Sequence, residues 1–497
     1  MPLPNYEDFA IDFKKRKNQV VYQRLSADLD TAVSLMIKLT RNKKNAFLLE
    51  SVTGGEIKGR YSVIGMDPDL VWECFGQTSQ IKIKNGKKFS KFLKCASNPL
   101  VALRELISDT KIDFPKGLPQ MSAGLFGFLG YDMIRLVENL PNINPDVLGL
   151  PDAVMIRPQT VIIIDGVKSE IIIVCPVWVN KHVDPHLAYQ SSVERIQKIS
   201  KKMQSKIKIP RVDITSIKNN QKAKSNVTKT EYFKTIKQAK EYIKKGDIFQ
   251  VVPSQRWSQP FTLPPFSLYR ALRRTNPSPY MFYFDLGKYQ VVGASPEILV
   301  KVKDKKVIIR PIAGTRPRGK TVEEDKFFEQ DLLNDHKELS EHLMLLDLGR
   351  NDAGKVSKIG TVKPTEQFII EKYSHVMHIV SNVEGELDDS HDALSALLSG
   401  LPAGTVSGAP KVRAMEIIDE LETEKRGVYG GGIGYFGANG EMDICIALRT
   451  GVVKDGTLYI QAGGGIVHDS DPESEFTETV NKSKALLSAA ADARNFI

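Results

Sequence analysis

Four glutamates stand in two pairs, Glu338 and Glu341 in "DHKELSEHLMLLDLGRND", and Glu475 and Glu478 in "DSDPESEFTETVNK". Each pair is spaced i,i+3, which puts both carboxylates on one face if the segment is helical. Both segments read as helix starts. Asp335 with Glu338 three residues on fits a capping box, and Asp471-Pro472 places a capping residue before a proline at the first helical position. Four carboxylates suit a hard cation such as Mg2+, which also takes an oxygen from its substrate. Two solvated acidic faces at helix N-termini fit the same spacing, and only folding can bring the pairs together.

Other residues offer chemistry with a plain structural alternative beside it. "QAGGGIV" (461–467) sets Gly463, Gly464 and Gly465 after a strand, either a nest of N–H groups for an anion or a tight turn. "PIAGTRPRG" (311–319) ends a strand at Gly314-Thr315 with two arginines, an anion-binding lip or an exposed basic turn. "LPAGTVSGAPK" (401–411) lacks the GxxxxGK[ST] spacing of a phosphate loop, so nucleotide binding through it is rejected. His375 and His378 lie on an apolar run, and Glu297 follows a strand in "GASPEIL". Each is a packed polar residue or an acid–base group.

The elements that must position these residues alternate between long β runs and grouped helices. "QTVIIIDGVKSEIIIVCPVWV" reads as a hairpin turning at Asp165-Gly166. "SADLDTAVSLMIKLTRN" has helical periodicity with Ser26 or Asp28 as cap, and "TKTEYFKTIKQAKEYIKKGD" is a helix ended by Gly246. "IFQVVPSQRWS" reads as a strand. Helices cover about 325–352, 390–400 and 410–425, and turns fall at Asn439-Gly440 and Asp455-Gly456. Antiparallel sheets with segregated helices make the fold class α+β.

A chain of 497 residues implies two to three domains or one composite fold. The net charge of +10 comes from dispersed lysines with no helix-turn-helix, zinc-finger or RNP motif, so no nucleic-acid partner is expected. The start has no apolar signal region, and no run reaches the roughly 18 apolar residues of a membrane span, so a cytoplasmic protein without membrane contact is expected. Four scattered cysteines form no CxxC or Cys/His set, so neither zinc nor a disulfide framework is indicated.

Taken in order, "PIAGTRPRG", "DHKELSEHLMLLDLGRND", "SHVMHIVSNVEGEL", "LPAGTVSGAPKVRAMEIIDELE", "RGVYGGGIGYF" and "QAGGGIVHDSDPESEFTETVNK" resemble the chorismate-utilising enzymes, most closely their anthranilate synthase large-subunit branch. The resemblance spans nearly the whole chain. It implies two large antiparallel sheets packed as a sandwich with helices outside. It also implies an amino-terminal regulatory region at 1–200, a polar linker or exposed segment at 201–227, and a chorismate-binding catalytic region at 228–490.

The resemblance implies a Mg2+ site at Glu338, Glu341, Glu475 and Glu478. Substrate would be held by Gly314, Thr315, Tyr429, Arg449, Gly463, Gly464, Gly465 and Lys482. Chorismate is a dianion, and such a set of N–H groups and cations suits it. Glu297 and His378 would flank the departing C4 hydroxyl, with Thr405 near the histidine. Either of the two could give the proton. Gln250 stands where water-using relatives carry a lysine base, and Ala313 where aminodeoxychorismate synthases carry a lysine. Both favour amination at C2 by ammonia and a lyase that yields anthranilate and pyruvate, the first step of tryptophan biosynthesis. The "LLES" and "NPSPYM" motifs imply a feedback site for L-tryptophan at Glu50, Ser51, Asn276, Pro279, Tyr280 and Met281. None of the cysteines sits in a glutaminase-type elbow, so a separate glutamine amidotransferase subunit is expected, in a heterodimer or heterotetramer. Aminodeoxychorismate synthase component I, or a non-catalytic tryptophan-sensing homologue, are the alternative readings.

Overall fold

The computed structural model of the chain describes every residue except 42, 52–58, 87, 142, 180–182, 208–221 and 374–375. His375, most of the 201–227 segment and the stretch after Ser51 therefore lie wholly or partly outside the described residues. Two long strands, Tyr61–Phe75 and Ala153–Asp165, pair from Tyr61↔Asp165 to Cys74↔Ala153. They are shared by two antiparallel sheets.

The first sheet continues from their Tyr61/Asp165 end. Glu170–Val177 and Gln19–Ser26 lie on one side, and Ala46–Glu50, Tyr280–Asp285, Tyr289–Ser295, Thr450–Lys454, Thr457–Gly463 and Ser254–Pro260 on the other. The second continues from the Cys74/Ala153 end through Gly124–Leu129, Gly432–Gly437, Met442–Ile446, Ile298–Lys303, Lys306–Ile309 and Val376–Glu386. Ile312–Pro317 and Lys363–Lys372 pair with the last of these.

The sheets meet face to face. Phe47 of the first stacks on Phe126 of the second with ring centroids 4.5 Å apart, and Phe126 lies 5.5 Å from Tyr435. These rings sit in one buried cluster with Val63, Ile163, Phe284 and Ile433. Each β run buries alternate residues here and the other half outward, where helices cover them. Ala32–Thr40, Pro185–Met203, Pro265–Thr275 and Pro472–Asp492 cover the first sheet through residues such as Leu35, Ile196, Leu272 and Leu486. Pro99–Asp109, His336–Gly354 and Ala393–Gly400 cover the second through Leu103, Leu346 and Leu397. The expected α+β sandwich is the fold. Amino-terminal strands interleave with later ones (Ala46–Glu50 with Tyr280–Asp285, Gly124–Leu129 with Gly432–Gly437), so 1–200 and 228–490 share one core.

Several local expectations are corrected. The cap of the helix Ala32–Thr40 is Thr31, not Ser26 or Asp28, because Thr31 and Ser34 make a reciprocal capping box. Asp165 is the last paired residue, opposite Glu170, and its carboxylate accepts the Val167 and Lys168 N–H groups, so the hairpin loop has four residues rather than two. The 250–258 run divides at Pro253, which has no N–H to donate. Gln250–Val251 pairs with Gly408–Ala409, and Ser254–Pro260 with Thr457–Gly463. The 325–352 helix is two helices, Val322–Asn334 and His336–Gly354, separated at Asp335.

Candidate active site

Asp335 caps His336–Gly354 by accepting the Lys337 and Glu338 N–H groups, and Asp471 caps Pro472–Asp492 by accepting that of Ser474. Local capping thus places both glutamate pairs in first or second helical turns. Burial, and next the charge of Glu341, raises the Glu338 carboxyl above its usual range; burial likewise raises Glu475, with Glu478 contributing. Arg316 lies 3.4 Å from Glu338, and Lys482 pairs with Glu478 at 2.7 Å. Glu475 Oε2 is buried without a hydrogen-bond partner.

Gln250 connects Glu341 to the glycine turn that packs against Glu475. Its Nε2 donates to Glu341 Oε1 at 3.1 Å, and a Cβ on Gly465 would come 2.5 Å from the same nitrogen. A Cβ on the adjacent Gly464 would lie 3.2 Å from Glu475 Oε2. The glycines of "GGG" are therefore required by close approach to this site. Among the described residues, no three His, Cys, Asp or Glu side chains converge into a ready-made metal cluster, so the carboxylates stand as two half-sites. Their all-oxygen donor set, with one orphaned buried carboxylate oxygen, fits a hard divalent cation that draws further ligands from substrate and water.

Glu297 is 6% exposed, and Thr405 Oγ1 donates to its two oxygens at 3.2 and 3.4 Å. Burial pushes this carboxyl up to about 8, while the Thr405 hydrogen bond and the Lys482 charge hold it down. It is a neutral acid at pH 7. Thr405 thus directs its hydroxyl to Glu297, and the hydroxyl beside His378 is that of Thr315. His378 Nδ1 sits 3.1 Å from Thr315 Oγ1 and 2.8 Å from the Gly314 carbonyl. Burial lowers its pKa, the carbonyl opposes this and Arg449 reinforces it, so the ring is neutral at pH 7. A proton on Nδ1 donated to Gly314 leaves Nε2 as an acceptor. Gly314 has φ +67°, and a Cβ there would press on Leu332 at 3.0 Å and Glu338 at 3.2 Å.

Arg449 adopts φ +46°, and its guanidinium, desolvated by burial, has no hydrogen-bond or ion-pair partner among the described residues. It is a cation held for an anion that the chain itself does not supply. Lys482 donates to the Gly463 carbonyl at 3.0 Å, and buried Tyr429 lies beside the same turn.

Arg426 and Glu422 were not singled out from the sequence, because an i,i+4 Glu–Arg pair reads as a solvated helix pair. Their side chains are 1% and 6% exposed. Arg426 donates to the Val406 and Val252 carbonyls at 2.6 Å each and lies over the rings of Tyr131 and Tyr429 at 4.7 and 5.5 Å. Glu422 accepts from Arg426 and from both Ser254 N and Oγ at 2.8 Å. The pair ties together the segments bearing Gln250, Thr405, Tyr429 and Gly463. Lys411, rejected as a phosphate-loop lysine, pairs with Asp352 at 2.6 Å.

Of the expected tryptophan residues, Met281 lies opposite Glu50 in register, whereas Tyr280, the next residue along the strand, packs on the inner face between the sheets. Glu50 is buried and accepts from Arg273 at 3.0 and 3.2 Å, from Ser62 at 3.2 Å and from the Tyr269 hydroxyl. Ser51 follows it at the strand end, and Asn276 closes the helix Pro265–Thr275. Pro279 precedes Tyr280, whose hydroxyl donates to Asp443 at 3.1 Å.

A sandwich whose edge carries paired carboxylates, a neutral carboxylic acid and an unpaired arginine defines an enzyme for a small anionic substrate. The family model of chorismate binding enzymes matches residues 44–488. Anthranilate synthase component 1 of Cereibacter sphaeroides is 61% identical over 494 residues, 99% of both chains, and that of Pseudomonas aeruginosa is 47% identical over 94% of both. The solved structure of anthranilate synthase component I from Streptococcus pneumoniae superposes with a TM-score of 0.75 at 37% identity, covering 86% of this chain and 92% of that one. The chain belongs to the chorismate-binding enzymes and, within them, to the anthranilate synthase component 1 family.

Proposed function

We propose that the chain converts chorismate and ammonia to anthranilate and pyruvate in a Mg2+-dependent reaction, the first step of tryptophan biosynthesis. A glutamine amidotransferase subunit supplies the ammonia in a cytoplasmic heterodimer or heterotetramer, and L-tryptophan inhibits. The observation that carries the reading is a neutral acid at Glu297 together with an uncharged amide at Gln250. Losing a hydroxyl needs a proton donor, whereas ammonia, already nucleophilic, needs no base.

Arg449, Lys482, Tyr429, Gly314, Thr315 and the Gly463–Gly465 backbone hold the two carboxylates of chorismate. Glu338, Glu341, Glu475 and Glu478 would hold Mg2+, which when bound neutralises a substrate carboxylate and fixes the ring. The ammonia lone pair forms the C2–N bond, the two ring double bonds shift, and the C4–O bond breaks. Glu297 gives its proton to that oxygen, which leaves as water. Neutral His378, with Nε2 an acceptor, orients the hydroxyl rather than protonating it. The C2–H electrons of aminodeoxyisochorismate then form the C2–C3 double bond of the aromatic ring as the C3–O bond breaks. The oxygen keeps that electron pair, and the departing enolpyruvate takes up one proton at its methylene carbon, in balance with the one lost from C2, to become pyruvate. Tryptophan held by Glu50, Ser51, Asn276, Pro279, Tyr280 and Met281 favours a state of weaker chorismate affinity, and linkage makes the antagonism mutual.

The test is the purified chain with chorismate, Mg2+ and ammonium. Blue-fluorescent anthranilate is expected, with glutamine inactive until the amidotransferase is added. Aminodeoxychorismate or no product refutes the reading. Tryptophan should suppress the rate, and undiminished activity at high tryptophan removes the regulatory claim. Glu341→Gln and Glu478→Gln should lose Mg2+-dependent turnover while still binding tryptophan, and turnover retained in both rejects the metal assignment.

A further inference from the structure

On the outer face of the first sheet, between the helices Ala32–Thr40 and Pro265–Thr275, lies a cavity of about 600 Å³. It shares no lining residue with the active site described above. Its volume falls within the roughly 300–1,000 Å³ of small-molecule sites. Met36, Ile37, Phe266 and Tyr283 make its apolar wall. Four cationic residues, Arg41, Lys43, Lys44 and Arg270, line it together with Asp285, Phe496 and Ile497.

These cations are not equivalent. Lys43 is engaged by Asp67. Arg270 has no carboxylate partner among the described ion pairs; its guanidinium donates to the Phe496 carbonyl and lies 5.4 Å over the Phe496 ring. Burial lowers its pKa. Arg273, one turn along the same helix, is by contrast consumed by Glu50. A half-buried guanidinium beside an aromatic wall, with a backbone carbonyl but no carboxylate partner among the described ion pairs, can receive an anion carried on an apolar body.

The place is distinct from the Glu50–Met281 end of the same strand pair. Ala46 and Asp285, opposite each other in register, line the cavity, whereas Glu50 and Met281 are paired four steps further on. At 3.3–3.4 Å per residue the two ends are roughly 13 Å apart.

We propose that this cavity is a second ligand site of the chain, taking a small amphipathic anion: an aromatic or short hydrocarbon body carrying one carboxylate or sulfonate. Arg270 receives the anionic group, and Tyr283, Phe266 and Ile37 receive the apolar body. The site stands on its own lining and does not depend on the reaction assigned above.

The test titrates the full chain with 8-anilinonaphthalene-1-sulfonate and, in parallel, with its neutral analogue N-phenyl-1-naphthylamine, reading fluorescence. One saturable sulfonate site per chain is expected, with the neutral probe binding at least tenfold more weakly. Arg270→Gln should weaken the sulfonate at least tenfold and leave the neutral probe unchanged, Arg270→Lys should restore most of the binding, and Ile37→Trp, which intrudes on the apolar wall, should weaken both probes. The rate with ammonium should be unchanged in all three, because none of these residues lies in the catalytic machinery. Absence of saturable binding, equal affinity in wild type, Arg270→Gln and Ile37→Trp, or competitive displacement by tryptophan would overturn the proposal. Should Arg270→Gln fail to fold, Ile37→Trp and the neutral probe still decide it.

Discussion

Glu297→Gln should remove catalysis and stabilise the fold at alkaline pH. The Glu297 carboxyl is raised from an ordinary 4.5 to about 8 by burial, so the folded protein holds this proton more tightly than the unfolded chain does. A raised carboxyl contributes stability that is fully present below 4.5 and is lost as pH rises through 8. At about 1.36 kcal/mol per pH unit, the whole shift amounts to roughly 5 kcal/mol, of which about 3 is lost between pH 5.5 and 9. Glutamine cannot ionise, so the variant lacks that slope. Its amide oxygen can still accept from Thr405, while an unmet N–H costs about 1–3 kcal/mol at every pH alike.

The quantity to measure is therefore the difference in stability between variant and wild type, followed against pH. It should move by about 3 kcal/mol in favour of the variant from pH 5.5 to 9. For 497 residues the unfolding entropy is roughly 1 kcal/mol/K, so the difference in Tm should move by about 3 °C. Scanning fluorimetry resolves this when both proteins are run in the same buffers. In the ammonium-dependent assay, kcat of the variant should fall by about 10²–10⁴-fold, and kcat of the wild type should decline above pH 8 as the acid ionises. A Tm difference that stays flat with pH refutes the raised carboxyl. A variant with normal kcat refutes its role as the acid.

Two further perturbations probe how the site is held. Glu422→Leu alone strands the Arg426 charge and should cost about 3–5 kcal/mol in urea denaturation, whereas Arg426→Met with Glu422→Leu should recover most of that stability without recovering kcat. Gly465→Ala should push Gln250 Nε2 off Glu341 and lower kcat/KM about tenfold with little change in Tm; an unaltered kcat/KM means that the amide contact is dispensable.

What was legible in the sequence was local. Asp335 and Asp471-Pro472 announce the two glutamate helices because a cap acts on N–H groups two or three residues away, and the structure has both. The turns at Asn439-Gly440 and Asp455-Gly456 were equally readable, since positive φ is demanded on the spot. Competition between neighbours defeated the same reasoning at Thr31, where a reciprocal box with Ser34 directly before the helix prevailed over Ser26 and Asp28. The pairing of Glu50 with Met281 joins residues far apart in the chain, and no local pattern encodes it; only the resemblance suggested that the two motifs belong together.

Desolvation was the hidden variable, and it decides the chemistry. Glu422 and Arg426 have the spacing of a solvent-screened pair worth a few tenths of a kcal/mol, yet they lie inside, where the pair fixes the segments bearing Gln250, Thr405, Tyr429 and Gly463. Glu297 and Glu478 are the same side chain with the same intrinsic acidity. One is buried against Thr405 and stays protonated at pH 7, while the other is half exposed and paired with Lys482. A sequence lists carboxyls without stating the dielectric around them. The tertiary fold therefore separates the carboxyl that can give a proton from those that offer lone pairs to a cation, and that division of roles makes the site chemically asymmetric.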